Sequence, residues 1–435
     1  MKTISRFLLT TMILSALLIS YPAYANPNSQ PIRQDFITML MDYSQYLSSG
    51  HTQHSEYYSS QMATLVKERQ AYYQEFFDKG LHAKLASLEA SFNFENLQIT
   101  QVGDEYNVQV SELVKIQGKP LTTQPENYPL IQAANWALLK SDRESVKNAL
   151  HEYIDLMIAG VQRSVTEGTN VDFTPIHAIA LTMNHGHWQI IRDMFTDKAI
   201  DRKEGVDNVN WVNGNPVRQK IDMTQMPDYY LYHTSIEVLG QHLLEDYTKA
   251  YGDASITPNS TSSFTYNRPS AGTYIRSYTS NTSLTACGGI KMNTTMYNQD
   301  FYKNIWTYTT QTCNDCADYV SQALRAGGFP TDSYWFYSGN DQYGHPGSYS
   351  WKVWDFNTSP QGLAYYLQTT KQAIVEFTYK ESLTEGDLLW DSTTMHVVME
   401  SAINPFGYSG HTNDRMNAPW VSDLNKNWHI YNTVP

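Results

Sequence analysis

The sequence predicts an α+β protein built as two domains. Three observations lead there. The chain has 435 residues, more than one compact core usually holds. Its first part carries helical periodicity, and this then gives way to alternating runs joined by tight turns, which read as antiparallel hairpins.

Residues 1–25 stand apart. Lys2 and Arg6 precede an apolar run from Phe7 to Ile19, and Ala23-Tyr24-Ala25 offers small residues to a signal peptidase. The run is short and wrongly flanked for a membrane span, so it reads as a signal peptide. A secreted or extracytoplasmic protein (periplasm or cell wall) is expected, with no stable membrane insertion after cleavage. The net charge of −13, with no cluster of Lys and Arg, repels phosphate backbones and argues against a nucleic-acid partner.

Residues 26–250 form the predicted N-terminal domain, helix-rich and α+β. Phe36, Leu40, Tyr43 and Leu47 recur at helical steps, and Leu65, Tyr72, Phe76 and Phe77 extend the helical reading from Ser59 to Ser91. Leu97–Val102 and Tyr106–Val110 alternate about a turn at Gly103-Asp104, which predicts a hairpin. A helix follows over Ser141–Val165. Ile176–Met183 and Trp188–Phe195, joined by Asn184-His185-Gly186-His187, make a second hairpin. His185 and His187 lack a third ligand at metal spacing, so they read as polar turn residues and no metal or other cofactor is expected. Residues 251–265, rich in Ser, Thr, Pro and Asn, read as a linker, and residues 266–435 as the second domain.

The chemistry sits in that second domain. Only three cysteines occur, Cys287, Cys313 and Cys316, so one thiol stays unpaired within the chain. Val320, Ala323, Leu324 and Gly327 share one helical face, Asp315 suits an N-cap, and Gly327-Gly328 before Pro330 ends the helix. Cys316 thus occupies the first helical position, where free amides and the helix dipole stabilise a thiolate and face a developing oxyanion. The Cys313-x-x-Cys316 spacing also fits a redox pair or half a zinc site, but no β-α-β pattern surrounds it and a fourth zinc ligand is missing. In an oxidising compartment Cys313 pairs better with Cys287, which leaves Cys316 free.

Asp315, Cys316, Val320, Ser321, Gln322, Gly327 and Gly328 resemble the signature of an amidase domain family, papain-like and related to NlpC/P60 cysteine hydrolases. Ala317, Asp318 and Tyr319 depart from the commonest residues of that signature. Tyr266-Asn267-Arg268 with Ala271 is similar to the family's opening motif, and Tyr349-Ser350-Trp351 to its Ser-x-Trp element. The resemblance covers residues 266–435. It implies a papain-like fold in which the Cys helix packs on an antiparallel sheet. Around His187-Trp188-Gln189-Ile190-Ile191-Arg192-Asp193 the N-terminal domain resembles the last strand of NTF2-like or cystatin-like modules.

A thiol nucleophile needs a base, and the base a group that fixes its tautomer. Four histidines follow Cys316: His345, His396, His411 and His429. Gly386-Asp387-Leu388-Leu389-Trp390 followed by Met395-His396-Val397-Val398-Met399 resembles the Gly-Asp strand and His-bearing strand of NlpC/P60 hydrolases, which implies His396 as base. Tyr408-Ser409-Gly410-His411-Thr412-Asn413-Asp414-Arg415 resembles the family's last motif and implies His411 as the orienting residue, with Asn413 and Asp414 behind it. His345 fits the rim of a cleft. Trp335, Tyr337, Tyr349, Trp351, Trp354, Trp390 and Trp420 fill a core, with stacking on sugars as the alternative.

The expected activity is hydrolysis of an amide bond by a Cys-His-His/Asn triad, with a peptidoglycan stem peptide as the substrate the resemblance implies. The alternatives are transglutaminase-like acyl transfer to an amine and a non-catalytic wall-binding or adhesion module.

Overall fold

The computed structural model describes residues 29–197, 208–219, 221–252, 265–281, 285–287, 290–293, 295–301, 316–336, 362–392, 396–411, 414–419 and 428–433. The expected signal peptide, most of the linker, Cys313, Asp315, His345, the Tyr349-Ser350-Trp351 element, Asn413 and Trp420 lie outside these residues. What is described is a mixed α+β protein with antiparallel sheets. No helix among the described residues is long and apolar enough to cross a membrane.

The chain opens with helices α1 (Ser29–Ser49) and α2 (Ser60–Glu75). The Ser59 side chain accepts a hydrogen bond from the Met62 amide and caps α2. Here the structure corrects the sequence expectation. Helical backbone continues only through a π turn at Phe76–Gly80, and Ala83–Ser91, expected as helix, belongs to strand β1 (Ala83–Val102). His82 turns the chain with a positive φ of 44°, and pairing with β2 (Glu105–Pro120) then decides the conformation of a segment whose composition suits a helix.

Two further helices come next, the first missed by the sequence reading and the second in agreement with the helix expected over Ser141–Val165. These are α3 (Pro129–Lys140), with proline at its first position, and α4 (Glu144–Glu167), stopped by Gly168 at φ 76°. Strands β3 (Thr169–Phe173), β4 (Pro175–Asn184), β5 (His187–Asp197), β6 (Asn208–Val212) and β7 (Asn215–Gln219) complete a seven-stranded antiparallel sheet in the order β1-β2-β4-β5-β6-β7. The expected hairpins are both present, as β1–β2 and β4–β5. The long β2 pairs with β4 over residues 105–111 and with β3 over 114–118. Phe36, Leu40, Tyr43, Leu47 and Leu65 from α1 and α2 pack on Val108, Val110, Ile179, Leu181 and Ile190 of this sheet.

Helices α5 (Pro227–His233) and α6 (Ile236–Tyr251) follow, then α7 (Arg268–Ser277), a short ribbon of β8 (Thr285–Cys287) and β9 (Ile290–Met292), and α8 (Cys316–Ala326). The last strands are β10 (Ile374–Phe377), β11 (Leu388–Asp391), β12 (His396–Ala402), β13 (Gly407–Gly410), β14 (Arg415–Pro419) and β15 (Trp428–Thr433). They form a six-stranded antiparallel sheet in the order β10-β15-β11-β12-β13-β14.

Both faces of that second sheet are covered, which alternation along its strands makes possible. Leu388, Trp390, Val397, Met399 and Tyr431 pack with Ala271 and Ile275 of α7 and with Tyr319, Val320, Ala323 and Leu324 of α8. Phe377, Leu389, Val398, Ile403, Phe406 and Tyr408 enter a second core with Leu130, Ala133, Leu150, Tyr153, Met157, Leu239 and Tyr247 of α3, α4 and α6. That core joins residues on both sides of 251–265. Polar contacts reinforce it. The Asp246 carboxylate accepts from the Thr378 and Tyr379 amides, both at 2.9 Å, and the Tyr153 hydroxyl donates to the Glu381 carbonyl at 2.6 Å. A Cβ at Gly160 would lie 2.6 Å from Ile403 Cβ, so α4 reaches the sheet this closely only with glycine there.

Candidate active site

The sequence motifs of the second half meet one another at the ends of α7, α8 and β11. The Asn267 amide donates to the Gly327 carbonyl at 2.7 Å, at the end of α8, and the Tyr266 hydroxyl donates to the Gly386 carbonyl at 2.9 Å. Asp387 is buried, and its carboxylate accepts from the Thr384 amide at 2.7 Å, the Thr433 amide at 2.8 Å and the Arg268 guanidinium. Arg268 also donates to the Thr433 carbonyl. The Tyr-Asn-Arg, Gly-Gly and Gly-Asp motifs therefore clamp α7, α8, β11 and β15 into one unit. Their task is to hold the site, not to react.

The interior of α8 does the same work along its length. Ser321 accepts from the Trp335 indole at 3.1 Å, and Gln322 accepts from the Tyr274 hydroxyl at 2.6 Å while donating to Asp318 at 3.1 Å. Val320, Ala323, Leu324 and Gly327 are buried, as their spacing predicts. Cys316 begins this helix, half-buried, and packs at the margin of the α7–α8 core. A thiol there has the positive end of the helix dipole beside it.

His411 lies over the first turn of the same helix. Its ring is stacked between Tyr319 and Tyr297, with centroids 3.5 and 3.6 Å away and planes within 5° and 11° of parallel. Tyr319 is one turn beyond Cys316. His411 Nε2 donates to the Tyr278 carbonyl at 2.6 Å, and burial depresses its pKa to about 4. Asp414 accepts from the Tyr297 hydroxyl and the Asn293 amide, each at 2.6 Å, so it secures the outer ring of the stack. Arg415 donates to the Tyr408 hydroxyl.

His396 is the first residue of β12, the strand against which α8 packs. Val397 and Met399 point to α8, whereas Val398 points to the core behind. Alternation gives His396 the side of Val398. A Cβ placed on Gly410 would meet Val398 Cγ1 at 2.6 Å and His396 Nε2 at 3.7 Å, so the imidazole extends over β13 at a point where only glycine fits. The structure thus brings His396 to Gly410 and His411 to Tyr319. Gly410 and His411 are consecutive, so this one turn of chain touches both His396 and the first turn of α8.

One buried residue beside His396 escaped the sequence reading. Asp391 ends β11 directly opposite His396 and is fully buried. The signal was available: four residues separate Asp391 from His396, so a simple hairpin pairs the two.

Residues 265–433 match the family described as "Putative amidase domain". The match supports an amidase role for this region. The matched region covers Cys316, His396, Asp391 and His411 together, with all the clamping motifs. No curated protein matches the chain. Among solved structures, the intermembrane space region of the chloroplast protein ARC6 aligns at 10% identity with a TM-score of 0.19, over 40% of this chain and 99% of that one. That likeness carries no argument.

Proposed function

We propose that the amidase domain is a cysteine hydrolase of papain-like kind, with Cys316 as nucleophile and His396 as base. The observation that carries this reading is Cys316 at the start of a buried helix, inside a region matching an amidase family. In this reading His396, the first residue of the strand on which α8 packs, takes the thiol proton. The thiolate sulfur bonds to the substrate carbonyl carbon, and the Cys316 backbone amide stabilises the oxyanion. As the C–N bond breaks, His396 gives its proton to the departing amine. It then deprotonates a water, which attacks the thioester and releases the acid and the thiol.

The apolar run and small-residue site before Asn26 support export, and the family resemblance supports an amide of a peptidoglycan stem peptide as substrate. The test is the pH dependence of iodoacetamide labelling, with peptide mapping. Labelling of Cys316 that persists well below pH 8 and disappears in His396→Ala supports the pair. Labelling that follows an ordinary thiol, with a midpoint of about 8.5, sinks it.

A further inference from the structure

A cavity of about 330 Å³ lies between the π turn Phe76–Gly80 and helix α5, in the part of the chain before residue 265. Two stacked ring pairs form its walls. His82 lies on Tyr232, with centroids 3.5 Å apart and planes 19° from parallel, and His233 lies on Tyr229 at 3.8 Å and 10°. The Tyr232 hydroxyl is tied to Thr122 Oγ1 at 2.5 Å, and His233 Nδ1 donates to the Tyr229 carbonyl at 2.7 Å, so both pairs are held. The volume is about ten times the share of one water in the liquid and reaches the lower end of small-molecule pockets.

The lining contains a carboxylate that packing does not explain. Asp228 is 0% exposed, and neither of its carboxylate oxygens has a hydrogen-bond partner among the described residues. The backbone amides of Phe406 and of Asp228 itself draw its pKa down only in part, and neither reaches hydrogen-bonding geometry. Burial therefore pushes this carboxyl well above the usual carboxylate range. A residue needed only to fill space would be apolar, because an unpartnered carboxyl is costly to bury.

The surroundings say which partner is missing. Asp78, exposed at the mouth, adds a second carboxylate. Lys79 is already paired with Glu75 at 2.9 Å, and burial lowers the pKa of His82, so neither brings a free positive charge at neutral pH. No group of three His, Cys, Asp or Glu among the described residues is arranged to hold a metal ion. What fits is an organic cation. We infer that this cavity binds a small organic ammonium ion, with its nitrogen on Asp228 and its alkyl part against the rings of Tyr229 and Tyr232. As the ligand enters, Asp228 releases its proton to solvent and the ammonium becomes the partner of the carboxylate, its three N–H donors shared between Asp228 and Asp78. The tyrosine rings favour a cation over a neutral molecule of the same shape. The site lies outside residues 265–433, so it stands whether or not Cys316 is a nucleophile.

The experiment is calorimetric titration of the full chain with n-butylammonium chloride at pH 7, in phosphate and in MOPS, with n-butanol as the neutral isostere. The difference between buffers counts protons released. Butylammonium should bind at one site and release close to one proton, and butanol should bind at least about tenfold more weakly. Asp228→Asn should weaken binding by about tenfold or more and abolish proton release. Asp78→Asn should weaken it by about two- to threefold, as an exposed charge does, and Lys79→Ala should not weaken it. No butylammonium binding up to about 10 mM, equal binding of butanol, or binding and proton release unchanged in Asp228→Asn would each overturn the inference. Should circular dichroism show that Asp228→Asn does not fold, Tyr229→Ala, a change at a half-buried wall residue, decides: weaker binding supports the site and unaltered binding overturns it.

Discussion

His411 is enclosed by two tyrosine rings, and burial brings its pKa to about 4 against 6.5 for an open imidazole. Its neutral form favours the fold. The stability it gives is complete above pH 6.5 and is lost as pH falls through 4, a change of roughly 3 kcal/mol. His177 behaves in the opposite sense. Burial alone would lower it, but the carboxylates of Asp193 and Glu112 outweigh burial and raise it to about 9. Its contribution is complete below pH 6.5 and is lost as pH rises through 9. Urea midpoints measured from pH 4 to 10 should therefore peak near 6.5. His411→Phe should flatten the acid limb and His177→Gln the alkaline one; a limb unchanged by its substitution would refute the assignment. Glu112, held down to about 2 chiefly by Arg69 and His177 against the upward push of burial, extends this network to Arg69 through paired bonds of 2.9 and 2.7 Å. Glu112→Gln removes the carboxylate charge that buried Arg69 and His177 share and should cost about 3–5 kcal/mol by thermal denaturation. None of this network is legible in the sequence, since Arg69, Glu112, His177 and Asp193 come from four separate elements. The start of α8 at Cys316 is legible, because an apolar helical face and a Gly-Gly stop are both local signals.

Among the elements, the hairpins and the Cys helix were readable because each is decided within a dozen residues. The helix expected up to Ser91 was not, since the conformation of Ala83–Ser91 depends on β2, more than twenty residues away in sequence. The same dependence governs β13. Gly410 leaves room for Val398 and His396, and no local pattern announces it. Gly410→Ala would set a methyl group 2.6 Å from Val398 Cγ1 and force the two strands apart, at a cost of about 1–3 kcal/mol. Because the displaced strand begins with His396, alkylation of Cys316 at pH 6 should fall as well. A stable Gly410→Ala variant with unaltered labelling would show that the register of β12 and β13 does not set the site.

For the whole molecule, the sheet bearing His396 is finished by helices that precede it by more than a hundred residues. Expressed alone, residues 265–435 would expose Phe377, Leu389, Val398, Ile403, Phe406 and Tyr408 together. Such a patch exceeds what soluble chains tolerate. The fragment should aggregate or bind a hydrophobic dye, while the full chain does neither; a monomeric fragment with a sharp thermal transition would refute this. Sequence composition suggested a division at 251–265 and could not reveal the core on both sides of it, because a linker is recognised from its own residues and a shared core only from distant ones.

The shared core bears on inheritance. A catalytic unit that closes its own interior can be copied beside new neighbours and still fold. Here the strand that starts with His396 lies between α8 on one side and α3, α4 and α6 on the other. Any recombination that moves the reactive half must carry those helices with it, so descent should preserve the two halves as a pair.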